Sequence, residues 1–216
     1  MNVIELFSSI DGEGKRQGFL TTFLRLHDCN IRCSYCDTLY SYGPESTFES
    51  MSVQAVADAI EQLENHRITI TGGEPLLQEL AIIELIDELT RRNARYDFNI
   101  ETNGTIIPSF HRDNVWFTYD YKTPSSLAED AMNLDIFKVA TPADIIKFVV
   151  GSMQDLDRMD EILKTYPTDA QIFVSPVWGN IEGATIVDYM KAHDWQNVRF
   201  QLQIHKFIWD PDAKGV

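Results

Sequence analysis

Cysteine is scarce in this chain. Its 216 residues include three cysteines, Cys29, Cys33 and Cys36, and all three fall within eight consecutive positions. No distant cysteine exists to pair with them, which argues against a disulfide framework and favours a reducing compartment.

Basic residues and long apolar runs are also few. Lys and Arg total 18 against 33 Asp and Glu, so the formal net charge is -15 at pH 7. This charge repels nucleic acid and anionic lipid, and we expect neither as a partner. No apolar run approaches the roughly 18 residues of a membrane span, and the first residues lack the basic and apolar parts of a signal peptide. We therefore expect a soluble, cytoplasmic protein.

The apolar pattern alternates between strand and helix spacing along the chain. The length and the 44% hydrophobic content suit one domain over residues 1–216. The predicted strands are 21–26, 67–71, 96–101, 115–119, 144–150, 171–175 and 198–202. This order predicts parallel βαβ units, with about six strands curving into an incomplete TIM-like barrel.

Amphipathic helices are predicted between these strands. One begins at Ser52, one contains Met153 and Leu156, and one lies near 184–192. In the helix that follows residue 75, the side chains expected to face the core are Leu76, Leu77, Leu80, Ile83, Leu85, Ile86 and Leu89.

Three polar motifs, CNIRCSYC, TGGEP and ETNGT, each come directly after a predicted strand. In an α/β barrel such loops share the C-terminal face, where these proteins place their chemistry. The sequence therefore predicts one site formed by all three motifs.

The spacing C-x3-C-x2-C predicts a metal site. Three thiolates can bind three irons of a [4Fe-4S] cluster and leave the fourth iron open to a small molecule. A structural Cys3His zinc site, completed by His27 or a distant histidine, is the alternative. Zinc sites usually pair cysteines in two separated C-x2-C units, whereas all the sulfur here lies in one loop. We therefore favour iron and sulfur.

The TGGEP turn, Thr71 to Pro75, lies thirty-five residues after the last cysteine. Two glycines let the backbone approach a ligand closely, and Glu74 can accept hydrogen bonds from a cationic amine. Together with the cysteines, this turn resembles the radical S-adenosylmethionine (SAM) superfamily. The resemblance implies that SAM binds the open iron, that the turn contacts the amino group of SAM, and that reductive cleavage gives a 5′-deoxyadenosyl radical.

Motifs near both ends of the chain narrow the resemblance. The runs SIDGEG (9–14), FLRL (23–26), CN and CDT at the cysteines, and QIHK (203–206) resemble the 7-carboxy-7-deazaguanine synthases of queuosine biosynthesis. This resemblance implies a carbon-nitrogen lyase that converts 6-carboxy-5,6,7,8-tetrahydropterin to 7-carboxy-7-deazaguanine with loss of ammonia. It also implies Mg2+, a flavodoxin or ferredoxin-like electron donor, and a homodimer.

The same resemblance implies roles for single residues. Arg25 would hold the substrate carboxylate with its planar guanidinium, and Thr38 would bind Mg2+ through a hard hydroxyl oxygen. The other implied substrate contacts are Ile10, Asp11, Gly12, Thr71, His205 and Pro211. The implied SAM contacts are Tyr35, Cys36, Asp37, Gly73, Glu74, Thr102, Lys122, Ser175 and Val177.

Four positions depart from the family pattern. Asp11 replaces the usual glutamine, and Asp28 replaces the usual glycine before the first cysteine. The segment 120–122 (DYK) replaces Ser-Pro-Lys and retains only the lysine. Some relatives end at a proline whose carboxylate meets the substrate, but five residues follow Pro211 here, so Pro211 carries no terminal carboxylate.

A glycyl-radical activating enzyme is the main alternative function, because it shares the cysteine spacing, the GGEP turn and a similar size. Its substrate is a protein, which gives no evident need for the GEG segment, Arg25 or Thr38. A non-catalytic zinc-binding module is the alternative outside the enzymes.

Overall fold

A nine-stranded sheet organises residues 1–216 of the computed structural model. The strands are β1 (Asn2–Ile10), β2 (Leu20–Leu26), β3 (Glu49–Ser50), β4 (Arg67–Gly72), β5 (Asp97–Thr102), β6 (Val115–Tyr121), β7 (Ile145–Val150), β8 (Gln171–Pro176) and β9 (Val198–Phe200). Their order is β3-β1-β2-β4-β5-β6-β7-β8-β9. β1 pairs antiparallel with β2 and β3, and every pairing from β2 to β9 is parallel. The sheet is open at β3 and β9, which confirms the predicted incomplete barrel.

The helices are α1 (Val53–Gln62), α2 (Glu79–Arg92), α3 (Ile136–Val139), α4 (Met153–Thr165), α5 (Gly183–Ala192) and α6 (His205–Ile208). The Ser52 hydroxyl accepts a hydrogen bond from the Ala55 N–H and so begins α1 at the predicted residue. β1, β3, α3 and α6 are elements that the pattern did not predict. No helix has the length and apolar character that a membrane crossing requires.

The prediction for the second long helix was partly wrong. Pro75–Gln78 form a 3-10 turn before α2 begins, and a 3-10 turn has three residues per turn instead of 3.6. The different phase leaves Leu77 and Leu80 exposed, at 44% and 77% of their surface. Ile82 occupies the fully buried position that the pattern assigned to Ile83.

The two faces of the parallel sheet differ in polarity. Side chains alternate between faces along a strand, and those on the outer face pack beneath the helices in a core of 34 buried residues. Inner-face side chains are largely polar, including Thr69, Thr71, Asn99, Glu101, Thr118, Asp120 and Lys147. A parallel sheet packed on both faces carries nearly continuous apolar runs, so this polar inner face indicates a ligand cavity.

The β1–β2 loop closes one end of the barrel. Ile10 pairs with Leu20, the first residue of β2, which places this loop at the N-terminal ends of the parallel strands. Arg16 is buried there, donates to the Ile68 carbonyl at 2.8 Å, and lies 4.5 Å from the ring centroid of Trp116. The loop therefore forms a floor, and the cysteine loop lies at the opposite end.

Candidate active site

One cavity inside the sheet collects nearly all the predicted site residues. Of the residues that the family resemblance implies for substrate, SAM, cluster or Mg2+, all except Glu74 and Ser175 line this cavity. They come from the floor loop, the inner faces of the strands, the C-terminal loops and the last segment of the chain.

The cysteine loop forms one wall of the cavity. Cys29, Cys33 and Cys36 are free and partly exposed, and all three line the cavity. The Asn103 amide nitrogen lies 3.7 Å from Cys29 Sγ, and Thr38 Oγ1 lies 3.6 Å from Cys36 Sγ. Burial raises the pKa of the Cys33 thiol to about 11, so binding of iron must displace protons from this loop.

The thiols fit an iron-sulfur cluster better than a zinc ion. A closed zinc site needs a fourth protein ligand, and His27 does not line the cavity that the three thiols line. The ring of His27 packs on Phe48, with the centroids 4.3 Å apart. Three thiols in one cavity wall, facing space that a small molecule can enter, suit a cluster with one exchangeable ligand position.

Gly73 and Glu74 of the TGGEP turn pack directly on the cysteine loop. Gly73 N donates to the Leu26 carbonyl at 3.2 Å, and Glu74 N donates to the Asp28 carbonyl at 2.7 Å. A Cβ atom added to Gly73 would lie 2.0 Å from the Asp28 oxygen and 2.8 Å from Cys29 Cβ. Glycine is therefore required here by contact with the loop that carries Cys29, in addition to any contact with a ligand.

Glu74 does not line the cavity, and its contact with SAM stays a prediction. Its side chain is buried, and its carboxylate accepts hydrogen bonds from Leu76 N at 2.9 Å, Thr102 Oγ1 at 2.9 Å and Asn103 N at 2.7 Å. Both carboxylate oxygens thus already accept hydrogen bonds from the protein. Glu74 ties the glycine turn to the end of β5.

Ser175 is the other predicted SAM contact outside the cavity lining. It is fully buried within β8, opposite Val149 of β7, and it does not line the cavity. Val177, two residues further on, does line it. On the β8 side the lining residues thus follow the end of the strand, and the contact of Ser175 with SAM stays a prediction.

The glycine-to-aspartate departure at position 28 has a local explanation. Asp28 has φ +81°, a left-handed conformation, and its side chain accepts a hydrogen bond from Cys29 N at 2.8 Å. Asp tolerates this conformation better than most residues because it forms such local bonds.

We expect Asp28→Ala to lower the free energy of unfolding by about 1 kcal/mol or more, and Asp28→Gly to change it by less. Urea unfolding of the three proteins tests this order, and equal values for Ala and Gly would contradict it.

Arg25 is held in place by an acid that the sequence did not reveal. Its Nε donates to Glu5 Oε1 at 2.6 Å, and the side chain is 14% exposed. Tyr40 OH donates to the same Glu5 oxygen at 2.9 Å. The two terminal nitrogens of Arg25 form no hydrogen bond within the protein and remain for a carboxylate.

The floor of the cavity joins the two ends of the chain. The Asp11 carboxylate is buried against Thr21 Oγ1 at 2.9 Å and Arg16 Nε at 3.1 Å, so its negative charge is compensated beneath the floor. The Gly12 carbonyl accepts from Ile204 N at 3.0 Å, and an added Cβ on Gly12 would lie 1.9 Å from His205 Nδ1. Burial lowers the pKa of His205, which keeps the imidazole neutral at pH 7.

A group of buried charges lies between floor and cysteine loop. Lys147 Nζ lies 2.8 Å from Glu13 Oε1 and 3.5 Å from Asp120 Oδ2, and Lys122 Nζ lies 2.9 Å from the same Asp120 oxygen. Although burial opposes it, the two lysines hold the pKa of Asp120 below its usual range. Within the DYK segment, Asp120 is therefore the counter-ion of Lys122.

Glu101 gives the cavity a pH-dependent charge. Burial raises its pKa to about 7 from an ordinary value of 4.5; Lys147 opposes the shift and neighbouring carboxylates add to it. Between pH 4.5 and 7 the folded state thus binds more protons than the unfolded state, so this group lowers stability as pH rises through that window.

We expect Glu101→Gln to gain stability over the wild type on going from pH 5 to pH 8, by at most about 1.4 kcal/mol per pH unit inside the window. Urea unfolding of both proteins at the two pH values measures this gain. Glu84→Gln, an exposed carboxylate on α2, is the control. A difference between Glu101→Gln and wild type that does not change with pH would contradict the expectation.

The residues after Pro211 fold back over the cavity. Asp212, Ala213, Gly215 and Val216 line it together with Pro211. Lys214 Nζ lies 4.2 Å from the ring centroid of Tyr40, the residue that also contacts Glu5. The tail thus covers the end of the cavity where Arg25 lies.

Comparisons with known proteins agree with these features. The model of the radical SAM superfamily matches residues 25–165. A 7-carboxy-7-deazaguanine synthase of Clostridium acetobutylicum is 38% identical over 219 residues, covering 99% of this chain and 98% of the relative. A synthase of the same name from Methanospirillum hungatei is 37% identical, covering 98% of this chain and 86% of the relative. The crystal structure of QueE from Escherichia coli has a TM-score of 0.70 at 24% identity and covers 93% of this chain and 92% of that one, which supports the fold.

Proposed function

The chain belongs to the radical SAM superfamily and, within it, to the 7-carboxy-7-deazaguanine synthase family, and we propose that the cavity is the active site of this lyase. The enzyme is a radical SAM lyase of queuosine biosynthesis that acts on a small molecule. It converts 6-carboxy-5,6,7,8-tetrahydropterin to 7-carboxy-7-deazaguanine. The relatives carry this name over nearly the full length of the chain, which does not favour a glycyl-radical activating enzyme.

The observation that most directly supports this site is that the three thiols and Arg25 line one cavity. When bound, the [4Fe-4S] cluster and SAM supply one-electron chemistry at a carbon–hydrogen bond. The chain's own part is to hold the substrate in one orientation and to exclude water from it.

The two ends of the cavity contact different parts of the substrate. Arg25 binds the carboxylate of the pterin through the two nitrogens that Glu5 leaves free. Thr71, whose hydroxyl donates to Glu101 at 3.3 Å, lies on the inner face beside it. At the floor, Gly12 presents backbone and the neutral His205 packs on it, while Pro211 belongs to the covering tail.

The SAM contacts proposed for the cavity wall are Tyr35, Cys36, Asp37, Gly73, Thr102, Lys122 and Val177. Thr38 would supply one hard oxygen to Mg2+, a cation that prefers oxygen ligands. Lys206, 3.4 Å from Asp37, neutralises that carboxylate at the cavity edge.

Three further properties are proposed on the family's pattern. The cluster requires an electron, and a flavodoxin or ferredoxin-like protein would supply it. We also propose a homodimer and a cytoplasmic location, the latter in keeping with an oxygen-sensitive cluster.

Anaerobic reconstitution tests the function. We expect a brown protein with about four irons per chain. With SAM, reductant, Mg2+ and the carboxypterin it should form 5′-deoxyadenosine and 7-carboxy-7-deazaguanine, measured by mass spectrometry. A colourless protein with one zinc would contradict any radical chemistry, and SAM cleavage without deazaguanine would contradict the synthase function alone.

A further inference from the structure

Glu13 carries an oxygen that the protein itself does not satisfy. Its Oε1 accepts from Lys147 Nζ at 2.8 Å and from Gln203 Nε2 at 3.4 Å. Its Oε2 is buried and has no hydrogen-bond partner. Such an orphaned buried acceptor is costly to folding and needs an explanation, and a ligand donor is one. Glu13 lines the cavity, so a bound ligand can reach this oxygen.

The position of that oxygen is fixed from several directions. Lys147 projects from the inner face of β7 and is 5% exposed, so it cannot move its ammonium group into water. The backbone on either side of Glu13 is also tied, because the Gly12 carbonyl accepts from Ile204 N and Gly14 N donates to Gln201 Oε1 at 2.8 Å. The carboxylate is therefore held rigidly before any ligand arrives.

The charges at the two ends of the cavity favour one orientation of a bound ligand. At one end Arg25 offers two free donors to a carboxylate. At the floor Glu13 offers an acceptor, and the nearby Asp120 has a second buried oxygen, Oδ1, without a partner. A ligand with a carboxylate at one end and N–H donors at the other matches both ends, whereas the reverse orientation would bring carboxylates together.

The substrate of the proposed function has this form, since its pyrimidinone ring bears a 2-amino group and a ring N–H opposite the carboxylate. We propose that Glu13 is a specificity-determining residue whose Oε2 accepts an N–H of the pyrimidinone edge, and that Lys147 is the residue that positions it. This inference rests on the proposed function for the identity of the substrate.

Binding of the carboxypterin to protein loaded with cluster and SAM, without reductant, tests the proposal independently of turnover. We expect Glu13→Gln to raise the pterin Kd about 10- to 100-fold and to leave the Kd for SAM within about twofold. A glutamine keeps the size of the side chain, but its amide has only one oxygen. In one orientation the amide N–H2 faces the pterin N–H, and in the other it faces the ammonium of Lys147, so one donor always meets another donor. Glu84→Gln, exposed on α2, is the matched control and should bind as wild type.

A pterin analogue without the 2-amino group distinguishes the loss of one specific contact from general damage to the structure of the variant. Wild type should bind this analogue about tenfold or more weakly than the parent, and Glu13→Gln should bind the two almost equally. Lys147→Met should show the same loss of discrimination, since it releases the carboxylate from its position. Glu13→Asp, which keeps the charge and withdraws the oxygen by one methylene, serves if Glu13→Gln does not fold.

The outcomes are distinct. Product from wild type, together with an unchanged pterin Kd in Glu13→Gln or an equal loss for parent and analogue, would overturn the role of Glu13 and leave the proposed function intact. Absence of deazaguanine from wild type would overturn the proposed function and, with it, the identity of the ligand.

Discussion

Gly73→Ala is expected to reduce the affinity for SAM roughly 100-fold or more and to lower the iron content after reconstitution. The added Cβ would lie 2.0 Å from the Asp28 oxygen and 2.8 Å from Cys29 Cβ. The nearer atom belongs to the backbone, so no side-chain rotation relieves the contact, and the cysteine loop must move away from the glycine turn. Iron per chain and the SAM dissociation constant of the anaerobic protein measure both effects.

Gly151→Ala is the matched control for this substitution. A Cβ on Gly151 meets only side-chain atoms, the nearest at 3.4 Å. The iron content and SAM affinity of this variant should stay close to those of wild type. Equal behaviour of the two variants would show that the close packing of Gly73 on the cysteine loop does not matter for the site.

Arg25→Gln is expected to raise the KM for the carboxypterin by about 30- to 1000-fold. The substitution removes the two free donors and leaves Glu5, whose carboxylate is bound by Arg25 at 2.6 Å, without its cation. Loss of a buried partner costs about 3 kcal/mol of stability or more, so folding and binding both respond. Steady-state kinetics and urea unfolding measure the two effects.

The double variant Glu5→Gln/Arg25→Gln separates these effects. Removal of both charges should restore much of the stability, because no unpaired carboxylate remains, while the KM should stay high. Arg112→Gln, which breaks an exposed pair with Asp87, is the control and should change neither quantity. A double variant with a normal KM would contradict the role of Arg25 as the carboxylate clamp.

The parallel part of the fold could be predicted because its pattern is local. β4, β7 and β8 are each a short apolar run ahead of a helical repeat, and the predicted ranges of β4 to β8 match the observed ones within a few residues. β1 was missed, since it pairs antiparallel at the sheet edge and only two of its nine residues are buried. The prediction that Leu77 and Leu80 are buried was wrong because one 3-10 turn changed the phase of the helical repeat.

In the candidate site, too, local motifs could be predicted and long-range contacts could not. Motif residues such as Arg25 and Gly73 line the cavity because each follows a strand directly or lies near its end. The sequence could not show that the Glu74 carboxylate accepts hydrogen bonds from the end of β5, nor that Glu5 pairs with Arg25. The Lys147–Glu13 pair spans 134 positions along the chain, and no local pattern connects two such residues.

The floor of the cavity also sets when the pocket can exist during synthesis. Gly14 N bonds Gln201 Oε1 across 187 positions, and Gln17 Nε2 bonds the Leu202 carbonyl across 185. A nascent chain that already includes the cysteine loop and the six parallel strands β2 and β4 to β8 still lacks the partners of the β1–β2 loop. Domains generally fold as units during translation, so the pocket closes only after residues 201–205 leave the ribosome. A chain that still lacks residues 201–205 therefore has its thiols before the floor of the cavity is fixed in place.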